Sequence, residues 1–452
     1  MKLAIQNIVC IGAGYVGGPT MAVIADRCPS IQVTVIDRDP ARIAAWNSAT
    51  LPVFEPGLDA VVQRCRGRNL HFLPQDQGLA ALQAADAIFI AVNTPTKLVG
   101  DGAGKASDLS FVEACARYIA ENAAGHTIVI EKSTMPVRAA DTIKRILKSN
   151  AQGATFDILS NPEFLAEGTA IRDLEKPDRV LIGGERPEAI DALAEVYAQW
   201  VEPAAIIRTN LWSAELSKLA ANAFLAQRVS SINAISSLCE ATEADVDQVA
   251  KVIGSDSRIG PKFLKASVGF GGSCFKKDVL SLVYLCEFYG LDAPAAYWQA
   301  VLDMNEWQKR RVGLAAAKHA AAYARRIAVL GLAFKKDTND FRETPAIDIC
   351  NYLLAAGFHL LLHDYRVDSA AFTRQFSSGP DASLAFAKSP EEAIRGADAV
   401  LVLTEWDAYG QLDWVALRAT CGQAPAIFDG RNVVNRSAAE KAGFVVRCIG
   451  KA

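Results

Sequence analysis

The sequence predicts an α/β chain: two doubly wound parallel-sheet domains joined by a helical middle that contains a long helix. Three observations carry this prediction. A short apolar strand runs directly into Gly12-Ala-Gly-Tyr-Val-Gly17, and a second strand closes on an acid, Asp37. The stretch from Asn210 to about Glu240 contains no glycine or proline and keeps apolar residues at helical spacing. The segments after residue 325 repeat those of the opening third, strand for strand. Together they place boundaries at 1–209, 210–324 and 325–452.

In the opening element, Ile8–Ile11 is the strand and a helix follows through Met21, Val23 and Ile24. Val33–Ile36 is the next strand, and Asp37 lies 20 residues beyond Gly17. This is the Rossmann-type βαβ fingerprint in its required context. Gly12 makes the turn, Gly14 admits a pyrophosphate, Gly17 lets the helix pack on the strand, and Tyr15 and Val16 complete the loop. Asp37 is placed to hold the adenosine ribose hydroxyls and to repel a 2′-phosphate, so NAD is expected rather than NADP. Arg38 and Arg42 are the residues that speak for the phosphate.

Further α/β alternation follows. Ala87–Val92 ends in Asn93-Thr94-Pro-Thr96, and Thr127–Ile130 ends in Glu131-Lys132-Ser133-Thr134. Loops at the carboxyl ends of such strands line the ligand crevice. Thr94, Thr96, Ser133 and Thr134 are therefore candidates to touch cofactor or substrate, or else turn and capping residues. Phe156–Leu159 leads into Ser160-Asn-Pro-Glu163-Phe164-Leu165-Ala-Glu167, with two carboxylates four apart.

In the helical middle, Lys218 and Asn222 share a face among Ala221, Ala223 and Ala226, an unusual setting for a solvated lysine. A second long helix is expected from about Pro294 to Ala324, with Tyr297, Trp298, Val301, Leu302 and Trp307 on a wide apolar face. Such faces suit a domain-bridging core or a subunit interface. Between the helices lies Ser267-Val-Gly-Phe-Gly-Gly-Ser-Cys-Phe-Lys-Lys-Asp278. Its glycines free the backbone for close approach to a ligand. Ser273 is expected as the N-cap of a helix and Cys274 in its first turn, where unpaired N–H groups and the helix dipole favour a thiolate. Asp278 shares that helix face. A cysteine beside a tight turn is often only a small buried residue, but here the surroundings suit covalent catalysis.

The last third reads as a second Rossmann-like sheet. Arg326–Gly331 mirrors the opening strand, Leu360–Asp364 mirrors Val33–Asp37, Gly396–Leu403 mirrors Ala84–Ala91, and Ala426–Asp429 mirrors Ile128–Glu131. Leu332-Ala-Phe-Lys335 replaces the later glycines, so a second NAD is not expected here, though another nucleotide is. Lys335, Lys336, Arg342 and Arg431 lie at or near strand ends, suited to phosphate.

Composition bounds the rest. An apolar share of 51%, a charged share of 21% and a net charge of −3 over 452 residues give no basic footprint for nucleic acid. No apolar run approaches ~18 residues, so no membrane span is expected. The opening residues lead into a strand instead of a cleavable signal pattern. The ten cysteines form no CxxC and no Cys/His cluster, which implies reduced thiols, no metal and a cytoplasmic setting. A hydride acceptor combined with a reactive thiol suits oxidation of an aldehyde to a thioester, followed by hydrolysis to an acid.

The sequence resembles the UDP-glucose/GDP-mannose dehydrogenase family, in its animal-like branch, from the opening strand to about residue 435. Its markers are Gly12–Gly17, Phe54-Glu-Pro-Gly57, Val92–Lys97, Glu131–Val137, Ser160–Glu167, Glu215–Asn222, Gly269–Asp278, Phe334–Thr338 and Asp429-Gly-Arg431. The resemblance implies oxidation of the primary alcohol at C6 of UDP-glucose to a carboxylate with two NAD per turnover. It implies that Lys218 and Asp278, with a water near Thr134, take the alcohol proton. Cys274 attacks the aldehyde, Lys218 and Asn222 stabilise the oxyanion, and Glu163 activates the hydrolytic water. It implies cofactor contacts by Asp37, Arg42, Val92, Glu167 and Arg342 beside the fingerprint and strand-end residues. Glu163, Phe164, Leu165, Lys265, Phe270, Gly271, Phe275, Phe334, Lys335 and Arg431 are implied around the sugar nucleotide. Arg258 is implied to come from a neighbouring subunit, which makes a dimer the minimum and a hexamer an option. GDP-mannose, a UDP-N-acetylhexosamine, a simple two-electron dehydrogenase and an inactive sugar-nucleotide sensor stand as alternatives.

Overall fold

The computed structural model describes residues 3–376 and 383–452. It forms two compact units. The first comprises 1–221 and 280–289, the second 222–279 and 290–452.

The first unit is built on an eight-stranded sheet. Its strands are β1 (Asn7–Ile11), β2 (Gln32–Asp37), β3 (Leu70–Pro74), β4 (Ala87–Ile90), β5 (His126–Glu131), β6 (Thr155–Ser160), β7 (Val180–Gly184) and β8 (Ile206–Thr209). They run in the order β3-β2-β1-β4-β5-β6-β7-β8. All neighbours are parallel except β6 and β7, which meet antiparallel. The central strands are apolar along their whole length because helices cover both faces. Ile8, Cys10, Val33 and Val35 pack into one core layer, while Val9, Ile36, Ile88 and Val129 pack into the other. The order reverses between β1 and β4, and that switch point opens a crevice at the carboxyl ends of the strands. Strands β3, β7 and β8 are not legible in the sequence. β3 ends in a proline and β8 buries only Ile206 while exposing Ile207 and Arg208, so neither reads as a continuous buried run.

The second unit carries a six-stranded, fully parallel sheet. Its strands are β9 (Arg326–Leu330), β10 (His359–His363), β11 (Leu384–Phe386), β12 (Ala399–Val402), β13 (Ala426–Asp429) and β14 (Val445–Cys448). The order β11-β10-β9-β12-β13-β14 repeats that of the first six strands of the first sheet, as the internal repeat predicts.

The two long helices span Leu211–Thr242 and Asp292–Ala320. The first contributes its residues through Ala221 to the first unit and the remainder to the second. The second stops short of the expected Ala324, because Arg325 takes a left-handed φ of 62° and turns the chain into β9. Among the described residues no helix is long and apolar enough to cross a membrane.

Candidate active site

The dinucleotide crevice lies in the first unit. Gly12 has a φ of +112°, and a Cβ there would stand 2.4 Å from the Ala91 carbonyl oxygen. Nothing lies within 4 Å of the place where a Cβ on Gly14 would stand, so the loop leaves open room for a pyrophosphate at the start of the Gly17–Arg27 helix. The loop is held from beneath by Trp46, a residue that the sequence does not single out. It is fully buried, donates from Nε1 to the Ala13 carbonyl at 2.9 Å, and stacks on Phe72 at 4.8 Å. Asp37 ends β2 with one carboxylate oxygen accepting from the Ala13 amide at 2.8 Å and from Arg42 Nη1 at 3.1 Å. Arg42 is thus tied to the acid, the arrangement that favours ribose hydroxyls over a 2′-phosphate. Arg38 lies 4.8 Å over the Phe111 ring at the same cavity wall. These residues fit NAD. Asp37→Ala is expected to raise KM for NAD about tenfold or more, since it removes a charge-assisted hydrogen bond; an unchanged KM would remove Asp37 from the cofactor site.

The loops after β4 and β5 brace one another. The Thr94 hydroxyl donates to the Thr134 carbonyl at 2.9 Å and the Ser133 hydroxyl to the Val92 carbonyl at 2.5 Å. These hydroxyls therefore have a structural task as well as any cofactor contact. Glu55, from the Phe54–Gly57 marker, accepts the Gly168 and Ala170 amides at 2.5 and 2.9 Å and so fixes the turn that follows Glu167.

Beyond these loops the first unit assembles a buried polar cluster. Lys218 Nζ lies 3.2 Å from Glu163 Oε1, with the two side chains only 4% and 7% exposed. Glu163 Oε2 accepts the Leu165 amide at 2.7 Å. The Lys218 ammonium also faces the Phe164 ring at 5.4 Å, and Arg179 covers that ring at 3.8 Å. Burial strips both charges of their hydration, a cost that their mutual attraction and these contacts offset.

A second buried acidic pair joins the first residues of two of the sequence markers, Glu131–Val137 and Glu215–Asn222. Glu131 and Glu215 are both 1% exposed and close enough for the charge of one to act on the other. Glu215 also accepts the Arg138 and Ala140 amides at 2.7 and 3.0 Å, at the start of the Ala139–Asn150 helix. Burial raises Glu215 to about 7, and burial plus the Glu215 charge raises Glu131 well above the usual carboxylate range. The folded chain therefore keeps a proton that the unfolded chain releases above its ordinary value of 4.5. The pair's contribution to stability is complete below that pH and is lost as pH rises through 7 and beyond. Glu131→Gln supplies a neutral donor to Glu215. It is expected to leave stability at pH 5 unchanged and to raise it at pH 8, by about 1 kcal/mol or more. Denaturant melts at the two pH values check this, and identical pH dependence in variant and parent would refute it.

The cysteine segment lies in the second unit. The helix begins at Phe275, and the Asp278 amide donates to the Cys274 carbonyl at 2.9 Å. Cys274 is thus the N-cap residue itself. The expectation that Ser273 caps and Cys274 opens the first turn is off by one position, because the Gly271-Gly272 turn delivers the chain to the helix one residue later. The thiol still stands at the positive end of the helix dipole. Of the ten cysteines Cys274 alone is exposed. Burial pushes the thiols of Cys28, Cys115 and Cys350 up to about 12, which leaves them inert.

The glycines before Cys274 serve close packing. A Cβ on Gly271 would stand 2.6 Å from the Glu343 carbonyl oxygen. Gly272, at φ +83°, would place one 3.1 Å from the Phe334 ring, and its amide donates to the Arg342 carbonyl at 2.9 Å. Three buried amides with no sequence signature hold this loop. Asn305 accepts the Phe270 amide at 2.8 Å and donates to its carbonyl at 3.1 Å, Gln308 donates to the Ser267 carbonyl at 2.6 Å, and Asn233 accepts the Ser267 amide at 2.8 Å. Asp278 is 1% exposed. It accepts from Asn222 Nδ2 at 2.6 Å and pairs with Lys277 at 3.1 Å. Asn222 and Asp278 therefore act as one group.

At the carboxyl ends of the second sheet, Arg431 Nη2 donates to the Phe334 carbonyl at 2.7 Å and Nη1 pairs with Glu405 at 3.2 Å. Lys335 lies 5.5 Å over the Phe334 ring, and Phe270 and Phe275 meet edge to face at 5.6 Å. Asp337, Glu343 and Asn432 carry positive φ in these same loops, strain of the kind that collects at ligand sites. Arg342 chelates Asp340 at 2.6 Å. Arg258 stands apart from this group, paired with Asp256 at 2.7 Å and 88% exposed, and Lys265 is exposed too.

Models of one family cover nearly the whole chain. The NAD binding domain of the UDP-glucose/GDP-mannose dehydrogenase family matches residues 6–201, its central domain 212–307, and its UDP binding domain 328–436. UDP-glucose 6-dehydrogenase 5 of Oryza sativa subsp. japonica is 53% identical over 467 aligned positions, which cover 98% of this chain and 97% of the relative. UDP-glucose 6-dehydrogenase of Mus musculus is also 53% identical, over 99% of this chain and 94% of its own length. The solved UDP-glucose dehydrogenase of Pyrobaculum islandicum superposes with a TM-score of 0.87 at 29% identity, covering 100% of this chain and 99% of the other. With one family's models matching the chain from residue 6 to 436 in three successive domains, this chain belongs to the UDP-glucose/GDP-mannose dehydrogenase family and takes NAD as its cofactor.

Proposed function

We propose that the chain oxidises the C6 alcohol of UDP-glucose to the carboxylate of UDP-glucuronate, in two oxidations and one hydrolysis. The observation that carries this is the exposed Cys274 at a helix N-cap, one turn from the buried Asp278–Asn222 pair. A simple two-electron dehydrogenase has no use for such a thiol.

NAD, held at Gly12–Gly17 and Asp37, supplies the hydride acceptor for each oxidation. In the first step the alcohol loses a hydride and its hydroxyl proton, which Asp278 accepts through a water near Thr134 while the Lys218 ammonium stabilises the oxygen as it is deprotonated. The Cys274 sulfur then bonds to the aldehyde carbon, and the carbonyl oxygen gains a proton to complete a thiohemiacetal. Lys218 and Asn222 stabilise the oxyanion on the way; one such donor is worth on the order of 10²-fold in rate. Loss of a second hydride and the hydroxyl proton leaves a thioester. Glu163 takes a proton from water as the water's oxygen bonds to the acyl carbon; the C–S bond breaks, and the thiol and carboxylate are released. Phe334, Lys335 and Arg431, with Phe270, Gly271, Phe275, Lys265, Phe164 and Leu165, are proposed to hold the sugar nucleotide, and Glu167 and Arg342 to reach the cofactor.

The enzyme is proposed to act as a homo-oligomer with Arg258 donated to a neighbouring copy. Its 88% exposure and the exposed Phe224 and Leu238 on the long helix support that reading. A cytoplasmic setting is proposed from ten cysteines present as thiols. The test is the yield of NADH per UDP-glucose consumed. Two NADH with UDP-glucuronate as product is the expected result. One NADH would mean a simple dehydrogenase, and none a binding protein; GDP-mannose or a UDP-N-acetylhexosamine consumed faster would reassign the substrate.

A further inference from the structure

In the second unit the chain leaves the Val246–Gly254 helix and runs through 255–266 without strand or helix before it reaches the glycine segment. One side chain ties this stretch down. Arg228, on the part of the long helix that belongs to the same unit, donates from Nε to the Lys262 carbonyl at 2.9 Å, from Nη1 to the Ile259 carbonyl at 2.9 Å and from Nη2 to the Gly260 carbonyl at 2.8 Å. The oxygen ends of three carbonyls facing one point repel one another unless positive charge stands between them. Arginine's planar fork meets three such acceptors from three different nitrogens, whereas a lysine ammonium is a single point charge. The loop also needs holding, because Gly260 and Phe263 both take left-handed backbone, at φ 72° and 61°, and Phe263 carries a Cβ. What the loop displays is cationic: Arg258 is 88% exposed, and Lys262 and Lys265 are exposed as well.

We propose that Arg228 is a positioning residue for sugar-nucleotide binding: by chelating three carbonyls it fixes the loop in the conformation that presents Arg258 to the neighbouring copy. This rests on Arg258 being the donated residue. An unbroken series of contacts joins the two arginines. Arg228 holds the Ile259 and Gly260 carbonyls, and the amides of those same two residues donate to the Asp256 carbonyl at 2.9 and 2.8 Å. The Asp256 carboxylate in turn accepts the Arg258 amide at 2.9 Å and Arg258 Nη2 at 2.7 Å. The aim of the Arg258 side chain therefore follows the backbone that Arg228 holds. Ordering a mobile arm at the moment of binding costs affinity, and an arm fixed beforehand avoids that cost. Arg228 touches no substrate in this reading and acts only through the loop.

Arg228→Lys keeps the charge without the fork, and Arg228→Gln keeps a donor without the charge. Steady-state NADH formation reads both. KM for UDP-glucose is expected to rise about tenfold or more, while kcat stays within about twofold and KM for NAD does not change, the pattern of binding lost equally from ground and transition states. Arg258→Ala should show the same pattern. The double variant of Arg228→Gln with Arg258→Ala should be no worse than Arg258→Ala alone, since a residue that acts through another adds nothing once that other is gone. If Arg258→Ala raises KM for UDP-glucose and the Arg228 variants keep the parent value, the proposal is overturned and the reading of Arg258 stands. Additive effects in the double variant, or Arg228 variants that raise both KM values as their melting temperature falls, would make Arg228 a structural residue of the long helix and overturn the proposal as well. If Arg258→Ala itself leaves KM for UDP-glucose unchanged, the donated arginine is the error and the proposal falls with it.

Discussion

Cys274→Ser is expected to abolish UDP-glucuronate production, by at least about 10³-fold, the scale seen when a covalent nucleophile is removed from a catalytic unit. The first oxidation does not require sulfur, so the NADH yield should fall from two towards one per sugar. Serine is a poor nucleophile without a dedicated base, whereas a thiol at a helix N-cap is drawn towards its reactive anion by the terminal amides. The fold should not change. The residue is exposed, and its backbone contribution, the carbonyl that accepts the Asp278 amide, survives the substitution. Melting temperature should therefore match the parent while product formation collapses. Full-rate UDP-glucuronate with two NADH from the serine variant would eliminate the covalent step.

Lys218→Met is expected to lower kcat by about 10²- to 10³-fold, because it removes an oxyanion donor from a dry site. It should also lower stability, since Glu163 then loses its ion-pair partner at 7% exposure. Breaking a buried pair costs about 3–5 kcal/mol; the lower end is expected here, because the Leu165 amide still donates to Glu163. Single-turnover NADH formation reads the first effect and denaturant melts the second. A variant with parent-like kcat would show Lys218 to be a structural counter-ion only.

Local periodicity makes the architecture visible in the sequence. The glycine turn, the acid at the end of β2 and the matching apolar runs of the last third each depend on a few consecutive residues, and the two sheets follow them in the same strand order. The short strands β3, β7 and β8 escape, because strands of four or five residues at or near a sheet edge lack a long apolar signal. Cys274 is legible from its glycines, although its position at the cap and not in the first turn is not. Trp46, Asn305 and Gln308, which hold the two glycine loops, carry no motif, and their use depends on contacts from distant chain segments. Glu131 and Lys132 offer one further clue, two charges placed directly after an apolar strand in a sheet covered on both faces.

By itself the sequence determined the chemistry: a dinucleotide turn, a nucleophile, and the residue types that surround them. These are properties of short segments, fixed by backbone freedom and side-chain type. Tertiary structure decided which charges work together. That Lys218 pairs with Glu163, that Asn222 pairs with Asp278, that Glu131 is buried beside Glu215 and that Lys132 stands among neutral partners all depend on burial and on distances between residues far apart in the chain. A charge acquires its role from the solvent it has lost and the neighbour it has gained, and neither is written in the order of residues.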